Sequence, residues 1–232
     1  MRTLSGGPNV VIDGLVLWLD AANSKFYVSG STTITNLINP NINGTWINGT
    51  PDLQQGKLII TSSANYLNSI PGISQSAFPQ ASGSVSIWVN ALYGLNSGGG
   101  QGYFDTYDLS RNHIFIRSAG GINQIALQIS GASLYNAVYN LPSHQPNTWY
   151  NYIVTYITGA SRNFKVYSNG VLLADSTPAS ASWAPDGQYV GYGFANNTMS
   201  GSYGPLLIYN KVLSQQEVLQ NYNSLKSRFG LT

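Results

Sequence analysis

The stretch that most constrains the fold runs from Trp149 to Asp175 and reads WYNYIVTYITGASRNFKVYSNGVLLAD. Its first part, from Trp149 to Ile157, is rich in aromatic and β-branched residues, which favour strands. A Gly-Ala-Ser turn follows, and two short strand-like runs then flank Asn169-Gly170. Asn-Gly is the strongest short-range hairpin signal, because both residues tolerate positive φ. The segment therefore predicts three consecutive antiparallel strands.

A two-residue loop also predicts which residues of the hairpin face each other. The expected pairs are Ser168 with Val171, Tyr167 with Leu172, and Val166 with Leu173. Apolar side chains then meet across the ladder, and such contacts stabilise a sheet.

Further strand-like segments are distributed along the whole chain. In SVSIWVN, Val85, Ile87 and Val89 alternate with polar or aromatic residues, which is the period of two that a sheet requires. NGTWINGT suggests a tight hairpin around Trp46. The other predicted strands are Gly14–Asp20, Lys57–Thr61, Ser84–Asn90, His113–Arg117, Gln124–Ser130, Gln188–Phe194 and Gly204–Tyr209.

One helix is predicted, at residues 214–229. Ser214 is a natural N-cap, and Glu217 three residues later completes a capping box. An apolar stripe follows at spacings of four, three and four, formed by Val218, Tyr222, Leu225 and Phe229. Gly230 is suited to end the helix in the left-handed conformation.

Many short strands with glycine turns, followed by one short helix, indicate an all-β fold, a two-sheet antiparallel sandwich. The chain has 232 residues, and no linker divides it. The prediction is a flexible N-terminal arm at residues 1–10 and a single domain at residues 11–232. The arm is polar and glycine-rich, so it buries too little to offset the entropy of ordering.

The charge pattern excludes several functions. Only 8% of residues are charged, the net charge is +2, and no basic stripe appears, which argues against nucleic-acid binding. No apolar run approaches the roughly 18 residues of a membrane span. The absence of cysteine removes disulfides, thiolate metal sites and cysteine nucleophiles. The N-terminus lacks an apolar run of signal-peptide length.

Four segments carry a family resemblance in the family's order: GLVLWLDAANSKFY, SVSIWVN, the stretch from Trp149 to Asp175, and LLIYNKVLSQQEVLQNYNSLKSRFGL. Together, over Val10 to Leu231, they resemble the laminin-G-like, concanavalin A-like jelly-roll domains. The first and last segments are most similar to the type found in phage and other virus structural proteins. The resemblance implies a two-sheet jelly roll that binds or scaffolds, and its relatives include glycan-binding modules and glycosidases.

The resemblance does not carry a calcium site to this chain. Many relatives have an acidic DGxDDY stretch, whereas the matching TSSANYLN has serines and Asn65 in place of carboxylates. Calcium prefers charged oxygen ligands. No metal and no cofactor is therefore predicted.

The sequence also lacks a convincing set of catalytic residues. Glycosidases pair two carboxyl groups, but the single glutamate, Glu217, is explained by capping. Asp105 and Asp108 do not share a strand face and fit a turn better than catalysis. His113 and His144 have no G-x-S-x-G elbow beside them, and a surface or structural role fits them better. The chain is predicted not to be an enzyme.

The aromatic residues remain as candidates for ligand contact, since exposed rings can stack on sugars. Trp18, Trp88 and Trp149 lie on predicted strands and are expected to fill the core. The candidate ligand-binding residues lie in turn-rich or glycine-rich stretches, where a structural role stays open; they are Trp46, Trp183, Tyr103 and Tyr107.

These observations favour a non-enzymatic virion structural protein, a capsid decoration, fibre or tail component. Its expected partners are other virion proteins and copies of itself, with a host-surface glycan as a further partner. It would be made in the host cytoplasm and located in the virion. A free-standing glycan-binding lectin-like module is the alternative, and a glycoside hydrolase comes third because only one glutamate is present.

Overall fold

The computed structural model describes the chain in segments that carry the main features of the fold. These are residues 9–47, 51–60, 66–68, 79, 81–92, 101–105, 113–119, 122–128, 137–140, 145–158, 160–177, 191–192 and 200–232, with only the backbone described at some strand positions.

Within these segments the strands are, in chain order, β1 (Leu15–Leu19), β2 (Thr33–Ile34), β3 (Gly44–Ile47), β4 (Asp52–Gln54), β5 (Lys57–Ile60), β6 (Tyr66–Asn68), β7 (Ser82–Ala91), β8 (Gln101–Asp105), β9 (His113–Ala119), β10 (Ile122–Gln128), β11 (Ala137–Asn140), β12 (Trp149–Ile157), β13 (Asn163–Ser168), β14 (Val171–Ser176), β15 (Gly191–Tyr192) and β16 (Gly201–Tyr209). Helix α1 (Gln215–Leu225) continues into a 3-10 helix (Lys226–Phe229).

The described strands form three antiparallel sheets. The large sheet has eight strands in the order β14-β13-β12-β7-β16-β5-β4, with β1 also paired to β16. A five-stranded sheet has the order β11-β10-β9-β8-β15, and a small sheet has the order β2-β3-β6. The predicted all-β sandwich with one short C-terminal helix is confirmed.

The large sheet is buried on both faces, and β7 shows why. Val85, Ile87 and Val89 point into a first core, which also contains Phe104 of β8 in the five-stranded sheet. Trp88 points the other way, into a second core beneath the C-terminal helices. The alternation in SVSIWVN therefore separates two apolar layers rather than core from solvent.

The C-terminal helices cover the outer face of the large sheet with the predicted apolar stripe. Val218, Leu225 and Phe229 are buried in the second core, and Tyr222 packs against it. Ser214 and Glu217 form the capping box. Gly230 has φ of 72° and ends the 3-10 helix, with the Leu231 N–H donating to the Lys226 carbonyl. This bond closes a Schellman motif.

One glycine makes the close approach of this layer to the sheet feasible. Phe229 stacks on Trp88 with ring centroids 4.3 Å apart. A Cβ atom at Gly204 would lie 2.6 Å from the Phe229 ring and 2.8 Å from the Trp88 Cβ. Because such contacts are too short for real atoms, β16 needs glycine where the ring lies on it.

The Asn-Gly hairpin forms with one difference in register. Asn169 and Gly170 both have positive φ, at 50° and 81°, as a type I′ turn requires. The predicted pairs of Ser168 with Val171 and of Tyr167 with Leu172 are confirmed.

The third predicted pair is wrong, because Val166 faces Ala174 rather than Leu173. A bulge between Val166 and Tyr167 inserts one extra residue on β14. Leu173 and Ala174 are both partly buried against the first core.

The prediction of a tight hairpin around Trp46 is also wrong. Trp46 lies within β3, which pairs with β2 on one side and β6 on the other. Gly44, one of the two glycines that suggested a turn, is the first residue of this central strand of the small sheet. The Trp46 side chain is 3% exposed and fills the first core, where its large apolar area is removed from water.

The other predicted strands are found with shifted ends. Strand β7 begins at Ser82 and ends at Ala91, and β16 begins at Gly201, three residues before its predicted start. Of the predicted strand at residues 188–194, only Gly191 and Tyr192 lie within the described residues, where they form β15. Of the predicted arm at residues 1–10, the structure describes only Asn9 and Val10. Val10 packs in the second core.

A charged cluster anchors the start of helix α1. The Lys211 Nζ lies 2.5 Å from the Asp13 Oδ2 and 2.7 Å from the Glu217 Oε1. The Ser214 N–H donates to the Glu217 Oε2 at 2.8 Å. Partial burial alone would raise the pKa of Glu217, but the bonds from Lys211 and Ser214 hold that pKa below its ordinary value.

This lowered pKa predicts a loss of stability in acid. A carboxyl group whose pKa is lower in the folded than in the unfolded state stabilises the fold above its ordinary pKa. That contribution disappears as the pH falls through the folded-state pKa. Glu217→Gln keeps a capping side chain but removes the charge, so the stability of this variant should fall less steeply between neutral and acidic pH.

The measurement is urea unfolding at a series of pH values for the parent and for Glu217→Gln. Some acid dependence should remain in the variant, because Asn163 and Lys165 also lower the pKa of Asp175. Identical pH profiles for the two proteins would show that the cluster does not couple protonation to folding.

Candidate functional site

The structure describes two of the four predicted ligand-binding residues, Trp46 in full and Tyr103 by its backbone. Trp46 is enclosed in the first core, so its ring faces are covered by protein and it is not a stacking surface. Tyr103 lies in β8, where the backbone alone is described. Tyr107 and Trp183 lie outside the described residues, so their ligand-binding role stays a prediction.

The aromatic residues expected in the core are found there. Trp88 and Trp149 belong to the second core, and Trp18 packs against it. Trp149 contacts Phe229 at a ring distance of 4.3 Å, and the Lys57 Nζ lies 5.6 Å from the Trp149 ring. Trp88 and Trp149 are buried and hold the C-terminal layer on the sheet, whereas Trp18 is partly exposed.

The described carboxylates all have structural partners. The pairs are Asp13 with Lys211, Asp20 with Arg228, Asp52 with Gln54, Asp175 with Lys165, and Glu217 with Lys211. Two of these carboxylates, those of Asp13 and Glu217, lie close together because both bind the Lys211 ammonium. The Glu217 carboxylate caps a helix, as the sequence predicted.

The structure describes the remaining candidates for catalytic residues only in part. Asp105 ends β8 and His113 begins β9, with backbone alone described at both. Asp108 and His144 lie outside the described residues. The stretch in which the sequence predicts that calcium ligands are missing is residues 61–68, and its side chains also lie outside the described part of the chain. Among described residues, no three potential metal-ligating side chains cluster.

A different surface does combine aromatic and amide groups. It lies where β11 of the five-stranded sheet ends and β12 of the large sheet begins. Only residues 141–144 separate Asn140, the last residue of β11, from Gln145, which keeps the Cα atoms of these two residues within roughly 18 Å of each other. We call this surface the β11–β12 rim and define it by Tyr139, Asn140, Gln145, Asn147 and Tyr150.

The rim is held in place by backbone hydrogen bonds. The Gln145 N–H donates to the Tyr150 hydroxyl at 3.0 Å, which ties the loop to β12. The Asn147 N–H donates to the Ala91 carbonyl at 2.7 Å, at the end of β7. Asn147 has φ of 54°, a left-handed conformation that asparagine tolerates better than most residues.

The tyrosines of the rim are anchored but not enclosed. Tyr150 is partly exposed and stacks on the buried Tyr152, with ring centroids 5.6 Å apart and planes 5° from parallel. Tyr139 is partly exposed and packs against the first core. A ring held by the core on one side can offer an edge or face to a ligand at little further entropic cost.

The chemistry of the rim is uncharged and polar. Asn140, Gln145 and Asn147 are exposed, and each amide can both donate and accept hydrogen bonds. Amides beside tyrosine rings suit a ligand that carries hydroxyl groups on a partly apolar ring. Sequence reasoning missed this surface, although the proline-rich turn LPSHQPN between tyrosine-bearing strands was the signal available.

The described chain shows no helix with the length and hydrophobicity that crossing a bilayer requires.

Comparison with solved structures identifies similar folds. The binding domain of botulinum neurotoxin serotype D has a TM-score of 0.69 at 15% identity, over 90% of this chain and 50% of that one. A serotype D ligand-binding domain in complex with N-acetylneuraminic acid has a TM-score of 0.64 at 16% identity, over 90% of this chain and 50% of that one. Trypanosoma rangeli sialidase in complex with sialic acid has a TM-score of 0.66 at 14% identity, over 93% of this chain and 33% of that one.

The chain therefore spans about half the length of the toxin domains and a third of the sialidase. At these identities the likeness shows a shared fold. No curated protein matches the sequence significantly.

A family comparison is more specific. A sequence model of a laminin G family, described as the concanavalin A-like lectin/glucanases superfamily, matches residues 61–219 of this chain. This match covers well over half of the chain. The protein thus belongs to the concanavalin A-like lectin/glucanase superfamily, in its laminin G branch.

Proposed function

We propose that this chain is a non-catalytic carbohydrate-binding domain that takes a saccharide at the β11–β12 rim. The observation that carries the proposal is the rim itself, where partly exposed tyrosines stand beside exposed amides on a rigid support. Sugar rings offer hydroxyl groups to amides and weakly polar C–H faces to aromatic rings.

Two further observations support binding rather than hydrolysis. The described carboxylates are engaged in ion pairs, a cap or a hydrogen bond with Gln54. The superfamily contains both lectins and glucanases, and this chain has one glutamate in total. The similar structures with N-acetylneuraminic acid or sialic acid bound make sialylated glycans one class to include in a test.

The test is binding of the purified chain to an array of neutral and sialylated glycans, followed by calorimetry on the best ligand. Gln145→Ala and Asn147→Gly should each weaken binding about threefold to tenfold, because a lost neutral hydrogen bond costs about 0.5–1.5 kcal/mol. Glycine suits the positive φ at Asn147, so that variant removes the amide without straining the backbone.

Gln216→Ala is the matched control, since Gln216 is exposed on helix α1, away from the rim. It should bind as the parent does. Equal weakening by all three variants, or binding that survives both rim variants, would place the ligand elsewhere. Release of reducing sugar from the bound glycan would contradict the non-catalytic part of the proposal.

A role in a virus particle stays a prediction from the sequence resemblance. The low charge content of 8% supports it, because a weakly charged surface packs against copies of itself with little repulsion. Binding of a host-surface glycan would be compatible with such a setting. Mass spectrometry of purified particles from the native source tests it, and recovery of the chain only as free protein would remove the virion role.

A further inference from the structure

An exposed leucine adjoins the β11–β12 rim. Leu92 directly follows the last residue of β7, is 45% exposed, and belongs to neither the first nor the second core. Single exposed leucines are common on protein surfaces and need no special explanation. What distinguishes Leu92 is its position, because hydrogen bonds fix its backbone beside a residue of the rim.

Two backbone hydrogen bonds define this position. The Leu92 N–H donates to the Ser200 carbonyl at 3.0 Å, just before β16 begins. The Asn147 N–H donates to the carbonyl of Ala91, the residue before Leu92, at 2.7 Å. Standard bond lengths then place the Cα atoms of Leu92 and Asn147 no more than roughly 7 Å apart. An exposed apolar side chain and an exposed amide side chain therefore belong to neighbouring positions on the surface.

These two side chains have complementary chemistry. The carboxamide of Asn147 can both donate and accept a hydrogen bond, whereas the Leu92 side chain can make only apolar contacts. An acetamido group on a sugar carries an N–H donor, a carbonyl acceptor and a methyl group, so it can use both side chains at once. A hydroxyl group at the same carbon of the sugar would leave the leucine without an apolar partner.

We propose that the rim selects saccharides that carry an acetamido group, and that Leu92 determines this specificity. The inference rests on the proposed function, since it assigns a substrate class to the same rim. Asn147 hydrogen-bonds the amide of the acetamido group, and Leu92 packs against its methyl group. Neutral amino sugars and acidic sugars both occur in acetylated form, and the acetamido chemistry is common to the two.

The test is calorimetry with matched sugar pairs whose members differ only in carrying acetamido or hydroxyl groups. The pairs are triacetylchitotriose with cellotriose, N-acetylgalactosamine with galactose, and N-acetylneuraminic acid with its deaminated analogue. In at least one pair the parent should bind the acetamido member about tenfold more tightly, because it gains a hydrogen bond and buries a methyl group. The pair that shows this preference distinguishes a neutral from an acidic ligand.

Leu92→Ala should weaken binding of the acetamido member about threefold to fivefold, because the methyl group loses its apolar contact. Binding of the hydroxyl member should stay unchanged. Leu219→Ala is the matched control, since Leu219 is exposed to a similar degree, 46%, but lies on helix α1. This variant should bind both members as the parent does.

Gln145→Ala separates this inference from the proposed function, because it should weaken binding of both members of a pair. If it does so but the parent binds the two members of every pair equally, the rim does not read the acetamido group and the inference is wrong. The inference is also wrong if Leu92→Ala weakens both members alike. If Gln145→Ala leaves binding unchanged, or if no saccharide binds, the proposed function fails together with the inference.

Discussion

Replacing Phe229 with alanine is expected to lower the free energy of unfolding by about 3–5 kcal/mol, the range for truncating a buried phenylalanine. Phe229 is 8% exposed and contacts both Trp88 and Trp149 at ring distances of 4.3 Å. The truncation leaves a cavity between two tryptophans and the sheet. For a domain of this size the melting temperature should fall by roughly 6–20 °C.

The control for this variant is Val28→Ala, which removes apolar atoms from an exposed residue and should change stability by no more than about 0.5 kcal/mol. Urea unfolding monitored by tryptophan fluorescence measures both. A Phe229→Ala protein as stable as the control would mean that packing of the C-terminal helices on the second core does not stabilise the fold.

Replacing Arg228 with methionine is expected to cost about 3 kcal/mol, the lower end of the range for breaking a buried ion pair. The Arg228 guanidinium donates to both oxygens of Asp20, at 2.8 and 2.9 Å. Asp20 is 5% exposed, so the variant leaves a buried carboxylate that, among the described residues, keeps the backbone N–H of Ala22 as a donor. This pair joins the end of β1 to the C-terminal 3-10 helix.

The two halves of the pair should respond unequally. Asp20→Asn should cost less than Arg228→Met, because the Arg228 side chain is 29% exposed and its charge can be hydrated. The double variant should cost less than the sum of the singles. Lys165→Met is the control, since its pair with Asp175 is much more exposed, and exposed pairs contribute about 0–1 kcal/mol. If Lys165→Met and Arg228→Met lowered the free energy of unfolding equally, the Arg228–Asp20 pair would not act as a buried ion pair.

Local signals predicted the fold well where they acted over short distances. Asn169-Gly170 specified a turn type, and Ser214 with Glu217 specified the start of a helix, because each depends on neighbouring residues alone. The bulge on β14 was not predictable, since it depends on how Leu173 and Ala174 both pack on the first core. Register beyond the first pairs is a tertiary property.

Turn-forming residues were also misleading at Trp46. The glycines and asparagines around it indicated a hairpin, yet β3 is held by strands on both sides that come from other parts of the sequence. Burial of the indole in the first core decides the conformation of this segment. Local propensity yields to long-range pairing when a large apolar side chain is enclosed.

The candidate site was less predictable than the fold. Sequence reasoning selected aromatics by their turn-rich surroundings, which identify loops but not which loops meet. The rim lies between β11, which the sequence analysis did not predict, and β12, and its tyrosines occur on these strands rather than in a turn-rich stretch. Tyr139 and Tyr150 are both partly exposed, and each lies one residue from the end of its strand.

The most direct test of the carbohydrate-binding account is a titration of the isotope-labelled chain with its best glycan from the array, followed by amide NMR. The account predicts that the largest shift changes fall on Asn140, Gln145, Asn147 and Tyr150, while the amides of helix α1 stay unchanged. The Gln145→Ala variant should need a higher glycan concentration for the same changes. Shifts confined to residues outside the rim, or no saturable shift with any glycan, would contradict the account.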